Sequence, residues 1–236
     1  MGLRLVLALA LALVLAPAAE GAVVGAGTLL ECLDDPRVRS VLVVGRTPCG
    51  VTHPKVTEVL HRDFTDFSAL TDRFRPIDAC FFCLGVSSAG MTEAAYAAIT
   101  YDVTIAAARA LVAANPAVVF CYVSGAGTDS TERGRSMWAR VKGRTENALL
   151  AMGFRGAYMF RPGYIQPVRG VKSKTGWVNA VYAVAGPLYP LFRAIGPGAM
   201  TTSAAHGKAF IAAAAAGYGS KILHARDINA LAEGRR

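Results

Sequence analysis

Charge is scarce in this chain: 17% of its 236 residues are Asp, Glu, Lys or Arg, against 53% hydrophobic. A chain this apolar can bury a full core, which excludes an intrinsically disordered protein. Cysteines are few and odd in number, namely Cys32, Cys49, Cys80, Cys83 and Cys121. An odd count argues against a disulfide framework and for a reducing compartment, so a cytoplasmic location is the expectation. Cys80 and Cys83 stand at zinc or redox spacing, yet no second pair completes a metal site. They read as small buried hydrophobes on a strand. The histidines, His53, His61, His206 and His224, are dispersed without ligand spacing, and no metal is expected. The net charge is +9. Basic and aromatic residues nowhere interleave in a run, so scattered surface Arg and Lys carry that charge and no nucleic acid is expected. Internal repeats and long linkers are also missing, and residues 1–236 read as one domain.

What the chain does have is alternation. Short apolar runs bounded by Gly, Pro, Asn or Asp recur at Ser40–Val44, Lys55–Leu60, Asp78–Leu84, Val118–Val123, Gly156–Phe160 and Lys221–His224. Each reads as a buried strand. Between them lie segments of helical periodicity. Thr92 is an N-cap for a helix that Asn115-Pro116 stops, and Thr201-Thr202-Ser203 caps an Ala-rich helix ending at Gly217. Strand and helix in turn predict an α/β domain with a doubly wound parallel sheet.

One stretch organises the rest. The run Val118–Val123 ends in Ser124-Gly125-Ala126-Gly127, and a polar loop reaches Arg135. Met137, Trp138, Val141, Thr145, Ala148, Leu149 and Met152 then mark one face of a helix. Lys142 lies four residues after Trp138, so the two side chains are neighbours on it.

Cys83-Leu84-Gly85, Tyr122–Gly127, Trp138-x-x-x-Lys142 and Arg161-Pro162-Gly163 together resemble the short-chain dehydrogenase/reductase superfamily in its atypical, epimerase-like branch. The likeness is to NAD(P)-binding proteins related to the Tat-interacting oxidoreductase, and it spans nearly all of the chain from Gly25 onward. It implies a Rossmann-like sheet, a small-molecule substrate and a nicotinamide dinucleotide. It also implies that Lys142 binds the nicotinamide ribose and that Ser124 orients the substrate. Leu84 and Gly85 would line the cofactor, Pro162 would pass close to the nicotinamide, and Tyr164 and Gln166 would face the substrate.

The chain departs from that pattern in two places. Trp138 stands where the superfamily carries its catalytic tyrosine, and an indole N–H donates but does not titrate near neutrality. The acid is then Tyr164, Tyr101 or a water. In the glycine loop, Gly21, Gly25 and Gly27 are expected to turn the chain into its first helix, Thr28–Leu33. Ala19 and Ala22 stand where relatives have glycine, and Glu20 brings a negative charge toward the phosphates.

Arg46 closes the second strand, about twenty residues after that turn, where dinucleotide folds meet the adenosine ribose. An arginine there suits the 2′-phosphate, so NADP is the expected cofactor with NAD admitted. The competing reading is an ordinary surface arginine. Asp63 holds the position at which relatives contact the adenine amine, and it equally suits a carboxylate at a helix N-terminus.

Two segments are open. Leu5–Leu15, followed by Ala16-Pro17-Ala18, has every part of a secretory signal, and its apolar run equally suits the central strand of a parallel sheet. The strand is the favoured reading of residues 1–18. Residues 168–200, with Pro187 and Pro190 breaking an apolar segment, are expected to cap a substrate pocket. A basic flank beside Trp177 and the aromatics that follow would also suit a membrane surface. A catalytically silent dinucleotide sensor or partner-binding scaffold is the alternative function.

Overall fold

The computed structural model describes residues 2–8, 19–171 and 200–235. The strands along the chain are β1 (Leu3–Ala8), β2 (Val38–Gly45), β3 (Val56–Leu60), β4 (Ala79–Phe82), β5 (Val119–Val123), β6 (Gly156–Arg161), β7 (Tyr164–Gln166), β8 (Met200–Thr202) and β9 (Ile222–His224). Seven of them form one sheet in the order β3-β2-β1-β4-β5-β6-β9, with every neighbouring pair parallel. The remaining two, β7 and β8, pair with each other.

Helices cover both faces of the sheet. They are α1 (Ala19–Asp34), α2 (Thr71–Phe74), α3 (Glu93–Ala97), α4 (Val103–Ala114), α5 (Met137–Leu150), α6 (Ser203–Ala216) and α7 (Ala225–Ala232). The strand period of two sorts the side chains. Val41 and Val43 of β2 join Phe81, Cys121 and Phe160 under α1, α6 and α7. Leu42 and Val44 of the same strand join Phe82, Phe120 and Tyr122 under α2, α4 and α5. This is a doubly wound, Rossmann-like sheet. Strand order reverses between β1 and β4, and in such sheets ligands bind at the strand C-terminal ends beside that reversal.

β1 (Leu3–Ala8) starts two residues before the apolar run Leu5–Leu15, and residues 9–18 lie outside the described residues. It pairs with β2 on one side and β4 on the other, Leu5 opposite both Val41 and Ala79. The expected glycine turn is corrected. Gly21 and Gly25 lie inside α1, which begins at Ala19 rather than Thr28. Gly27 lies inside it as well, and its role is packing. A Cβ at Gly27 would stand 2.6 Å from Cβ of Ser203, and one at Gly207 would stand 2.8 Å from Cβ of Glu31. The two glycines let α1 and α6 approach closely. That packing outweighs the helix cost of a glycine, about 1 kcal/mol relative to alanine.

Thr92 accepts from Ala95 N at 3.2 Å and Thr202 accepts from Ala205 N at 3.0 Å, both as N-caps. Between α3 and α4 the helix widens to a π-turn over Ala98–Asp102. Among the described residues, Glu93–Ala114 is the one helix long and apolar enough to cross a membrane. Its Val103, Ile105 and Leu111 are buried against Phe82 and Phe120 of the sheet. The segment expected to cap a pocket lies, over residues 172–199, outside the described residues, as does the Trp177–Ile195 stretch considered for a membrane surface.

Candidate functional site

Ser124 follows the last residue of β5. Its backbone N–H and its hydroxyl both donate to the carbonyl of Phe160 in β6, at 2.9 and 3.1 Å. The residue is 3% exposed, so the hydroxyl is turned into the seam between the two strands. The carbonyl of Ser124 accepts from Nζ of Lys142 on α5. The two residues paired in the sequence reading therefore meet through Ser124's main chain.

Trp138 lies one turn before Lys142. Its indole lies against Gly125 and Gly127, where added Cβ atoms would stand 3.9 and 3.5 Å from ring carbons. These glycines have φ of 148° and 86°, a backbone that L side chains rarely adopt, and their bare surfaces give the ring its seat. Ala126 N donates to the carbonyl of Pro162 at 2.6 Å, which ties this loop to the Arg161-Pro162-Gly163 turn.

Downstream, residues 128–136 fold onto α5. Asp129 accepts from Thr131 Oγ1 at 2.6 Å and from the N–H groups of Gly134 and Arg133 at 2.6 and 3.0 Å. The Thr131 hydroxyl and the Gly134 N–H hold its carboxyl below the usual range. Arg140 donates to the carbonyls of Gly134 and Arg135, and Asn147 donates to that of Ser130. At Gly143 the helix meets the loop backbone directly, and a Cβ there would stand 1.8 Å from the carbonyl oxygen of Asp129.

Behind this loop sits an ion pair. Arg161 closes β6 and donates through Nε to Glu146 Oε1 at 3.0 Å and through a terminal nitrogen to Oε2 at 2.5 Å. It also donates to the hydroxyl of Ser130. The Glu146 side chain is fully buried and that of Arg161 is 11% exposed.

Arg46 caps β2 and is exposed, with its guanidinium 5.7 Å from the centre of the Phe64 ring. The next residue, Thr47, has a buried hydroxyl with no partner among the described residues. Asp63 is exposed and accepts from Thr65 N and Oγ1 at 2.9 and 2.6 Å, an Asx turn that holds its carboxyl below the usual range. It therefore does not sit at a helix N-terminus. Asp66 takes that role, accepting from Ser68 N and Oγ at the short 3₁₀ turn Ser68–Leu70. Leu84 is buried where the chain leaves β4. At Gly85 a Cβ would meet nothing within 4 Å, so open space lies beside the backbone.

Tyr164 on β7 is half-buried, and its hydroxyl donates to Gln166 Oε1 at 2.8 Å. Tyr101 lies under the Arg144 guanidinium at 4.0 Å. Arg144 follows Lys142 by two residues, about 200° around the helix, so Tyr101 is on the wrong side of α5 to act at Lys142. Cys80 and Cys83 face opposite sides of the sheet, and burial pushes both thiols well up, which fits buried hydrophobes. Among the described residues no group of His, Cys, Asp and Glu could hold a metal.

Sequence reading missed Glu146, Ser130 and Thr47. The only available signal was Thr47's place next to Arg46; Glu146 and Ser130 acquire a role only through tertiary contact.

No protein-family model and no curated protein matches the chain. Solved structures do share its fold. The Bordetella bronchiseptica enzyme WbmF in complex with NAD+ superposes with a TM-score of 0.63 at 14% identity, covering 98% of this chain and 78% of that one. A short chain dehydrogenase from Burkholderia cenocepacia in complex with NADP gives 0.60 at 16% identity, over 94% and 87%. MoeE5 in complex with UDP-glucuronic acid and NAD gives 0.59 at 18%, over 98% and 82%.

The residues fit a nicotinamide dinucleotide at its two ends. Arg46 and the unpartnered Thr47 hydroxyl stand at the β2 tip, Gly85 leaves open space after β4, and Lys142 places an ammonium at the end of β5. The expected pyrophosphate turn is not made by Gly21 and Gly25, which lie inside α1.

Proposed function

We propose that this chain binds NADP(H) at the C-terminal ends of β2, β4 and β5 and is an oxidoreductase/epimerase-like protein for a small carbonyl or alcohol. The observation that carries this reading is the contact of Lys142 Nζ with the Ser124 carbonyl. It holds an ammonium at the end of β5, where a doubly wound sheet presents its ligands. The solved structures of the same fold, crystallised with NAD or NADP, support it.

In this reading Lys142 donates to the nicotinamide ribose and Arg46 to the 2′-phosphate, joined by the Thr47 hydroxyl. Leu84 and Gly85 line the cleft, and the Pro162 turn closes the nicotinamide side. Asp63 is placed for the adenine amine, with one carboxylate oxygen already committed to Thr65. A bound nicotinamide supplies hydride transfer. The proton falls to Tyr164, which must release Gln166 to deliver it. Ser124 acts through its carbonyl, since its hydroxyl is spent on Phe160.

A second reading, dinucleotide binding without turnover, is favoured by two of these facts. Trp138 offers no titrating proton, and the Ser124 hydroxyl is turned away from the cleft.

Trp138 and Trp177 are the only tryptophans. In a Trp177→Phe background, NADPH is expected to quench the Trp138 emission as it binds. Adding Lys142→Ala should weaken binding about tenfold or more, the loss of a charge-assisted hydrogen bond. Saturating NADPH with no change in emission and no heat of binding would refute the site.

Cofactor choice is read separately. The wild type should prefer NADPH to NADH by about tenfold, and Arg46→Glu should abolish or reverse that preference. Equal wild-type affinities would leave Arg46 an ordinary surface residue.

A further inference from the structure

The pair Glu146–Arg161 lies outside the proposed contacts to ligand, yet it joins the elements that carry Lys142 and hold Ser124. Lys142 and Glu146 are one turn apart on the same face of α5. Arg161 stands between Phe160, whose carbonyl holds Ser124, and Pro162, whose carbonyl holds Ala126. Its guanidinium forks onto both oxygens of Glu146 and reaches the Ser130 hydroxyl in the loop that covers α5. One buried cation thus fixes the helix carrying Lys142, the strand end that holds Ser124, and the loop between them.

We propose that Arg161 and Glu146 are positioning residues for the dinucleotide site, acting through Lys142. This rests on the NADP(H) reading above. Planar fork geometry sets both distance and rotation between α5 and β6, which a flexible ammonium in place of the guanidinium would not. The position of Lys142 Nζ against the Ser124 carbonyl follows from that setting. A lysine at position 161 keeps the charge and loses the fork, so it separates geometry from electrostatics.

The test is a double-variant cycle on the full chain with NADPH as the probe, read by calorimetry, with unfolding stability measured alongside. Arg161→Lys is expected to weaken NADPH binding about fivefold, and in a Lys142→Ala background to change it less than about twofold, because coupled residues lose additivity. Should Arg161→Lys fail to fold, Ser130→Ala removes the hydroxyl that accepts from the same guanidinium and is read through the same cycle. Lower stability with unchanged NADPH affinity makes the pair merely structural and overturns the proposal. Effects that multiply in the double variant overturn it too, since the pair would then act independently of Lys142. Failure of the wild type to bind NADPH overturns the function reading first and this proposal with it.

Discussion

Gly143→Ala is expected to be the most damaging single methyl that can be added near the site. Its Cβ would stand 1.8 Å from the Asp129 carbonyl oxygen and 2.5 Å from the carbonyl carbon. Both are backbone atoms, so no rotamer change relieves the overlap. Either α5 or the 128–136 loop must move, and the loop is held by the Asp129, Arg140 and Asn147 hydrogen bonds. Overpacking of a core costs about 1–3 kcal/mol, and a backbone-on-backbone overlap belongs at or above the top of that range. For a domain of this size a loss of about 3 kcal/mol lowers the midpoint of thermal unfolding by roughly 6–12 °C. Gly219→Ala is the control, because a Cβ there meets nothing within 4 Å. It should stay within about 0.5 kcal/mol of wild type. Equal stabilities for the two variants would mean that α5 does not rest on Asp129 as described. The same displacement moves Lys142, one residue away, so NADPH affinity should fall together with stability.

Most of the sheet was legible in the sequence for one physical reason. β2, β4, β5 and β6 are buried on both faces, and such strands read as unbroken apolar runs ending in turn residues. The same logic places a central strand in the N-terminal run, and β1 lies there between β2 and β4. From Leu3 to Leu15 the run contains Arg4 and no other punctuation, so periodicity alone sets no strand boundary inside it. The first helix was misplaced because Gly21, Gly25 and Gly27 look like a turn. The use of Gly27 is set by α6, more than 170 residues later in the chain, whose Ser203 packs against its bare backbone. β7 and β8 are three residues each, too short to leave a pattern.

The candidate site divides in the same way. Ser124 and Lys142 are paired through the resemblance to the short-chain dehydrogenase/reductase pattern, one at a strand end and the other on the helix after it. How they meet could not be read that way. The Ser124 hydroxyl faces β6, and only the register of β5 against β6 shows it. The Asp63 turn was equally hidden, since a carboxylate two residues before a threonine and five before a 3₁₀ turn suits either partner. Asp66 is nearer the turn and takes it.

Behind β6 lies a group that should make the fold acid-sensitive. His206 of α6 is buried with the Phe160 and Phe210 rings 6.3 and 6.1 Å from its own. Nδ1 lies 3.4 Å from the Thr202 carbonyl, and Nε2 has no partner among the described residues. Burial pushes its pKa down to about 4, with the Thr202 carbonyl opposing weakly. Unfolded, the same imidazole titrates near the ordinary 6.5. Below that pH the unfolded chain binds a proton that the folded chain refuses. The stabilisation is therefore complete above about pH 6.5 and disappears as the pH falls toward 4, a loss of about 3 kcal/mol. His206→Leu removes the titration and keeps an apolar side chain in an apolar layer. Chemical unfolding between pH 7 and 4 should show the wild type losing about 3 kcal/mol more than the variant. Parallel pH profiles would mean that the imidazole reaches water in the folded chain. Phe160 supplies the carbonyl that holds Ser124, so protonation of His206 strikes the layer on which the candidate site is built. In the folded chain the imidazole stays neutral until the pH approaches about 4, so NADPH affinity should hold down to that pH and fall only there in the wild type, and not in His206→Leu.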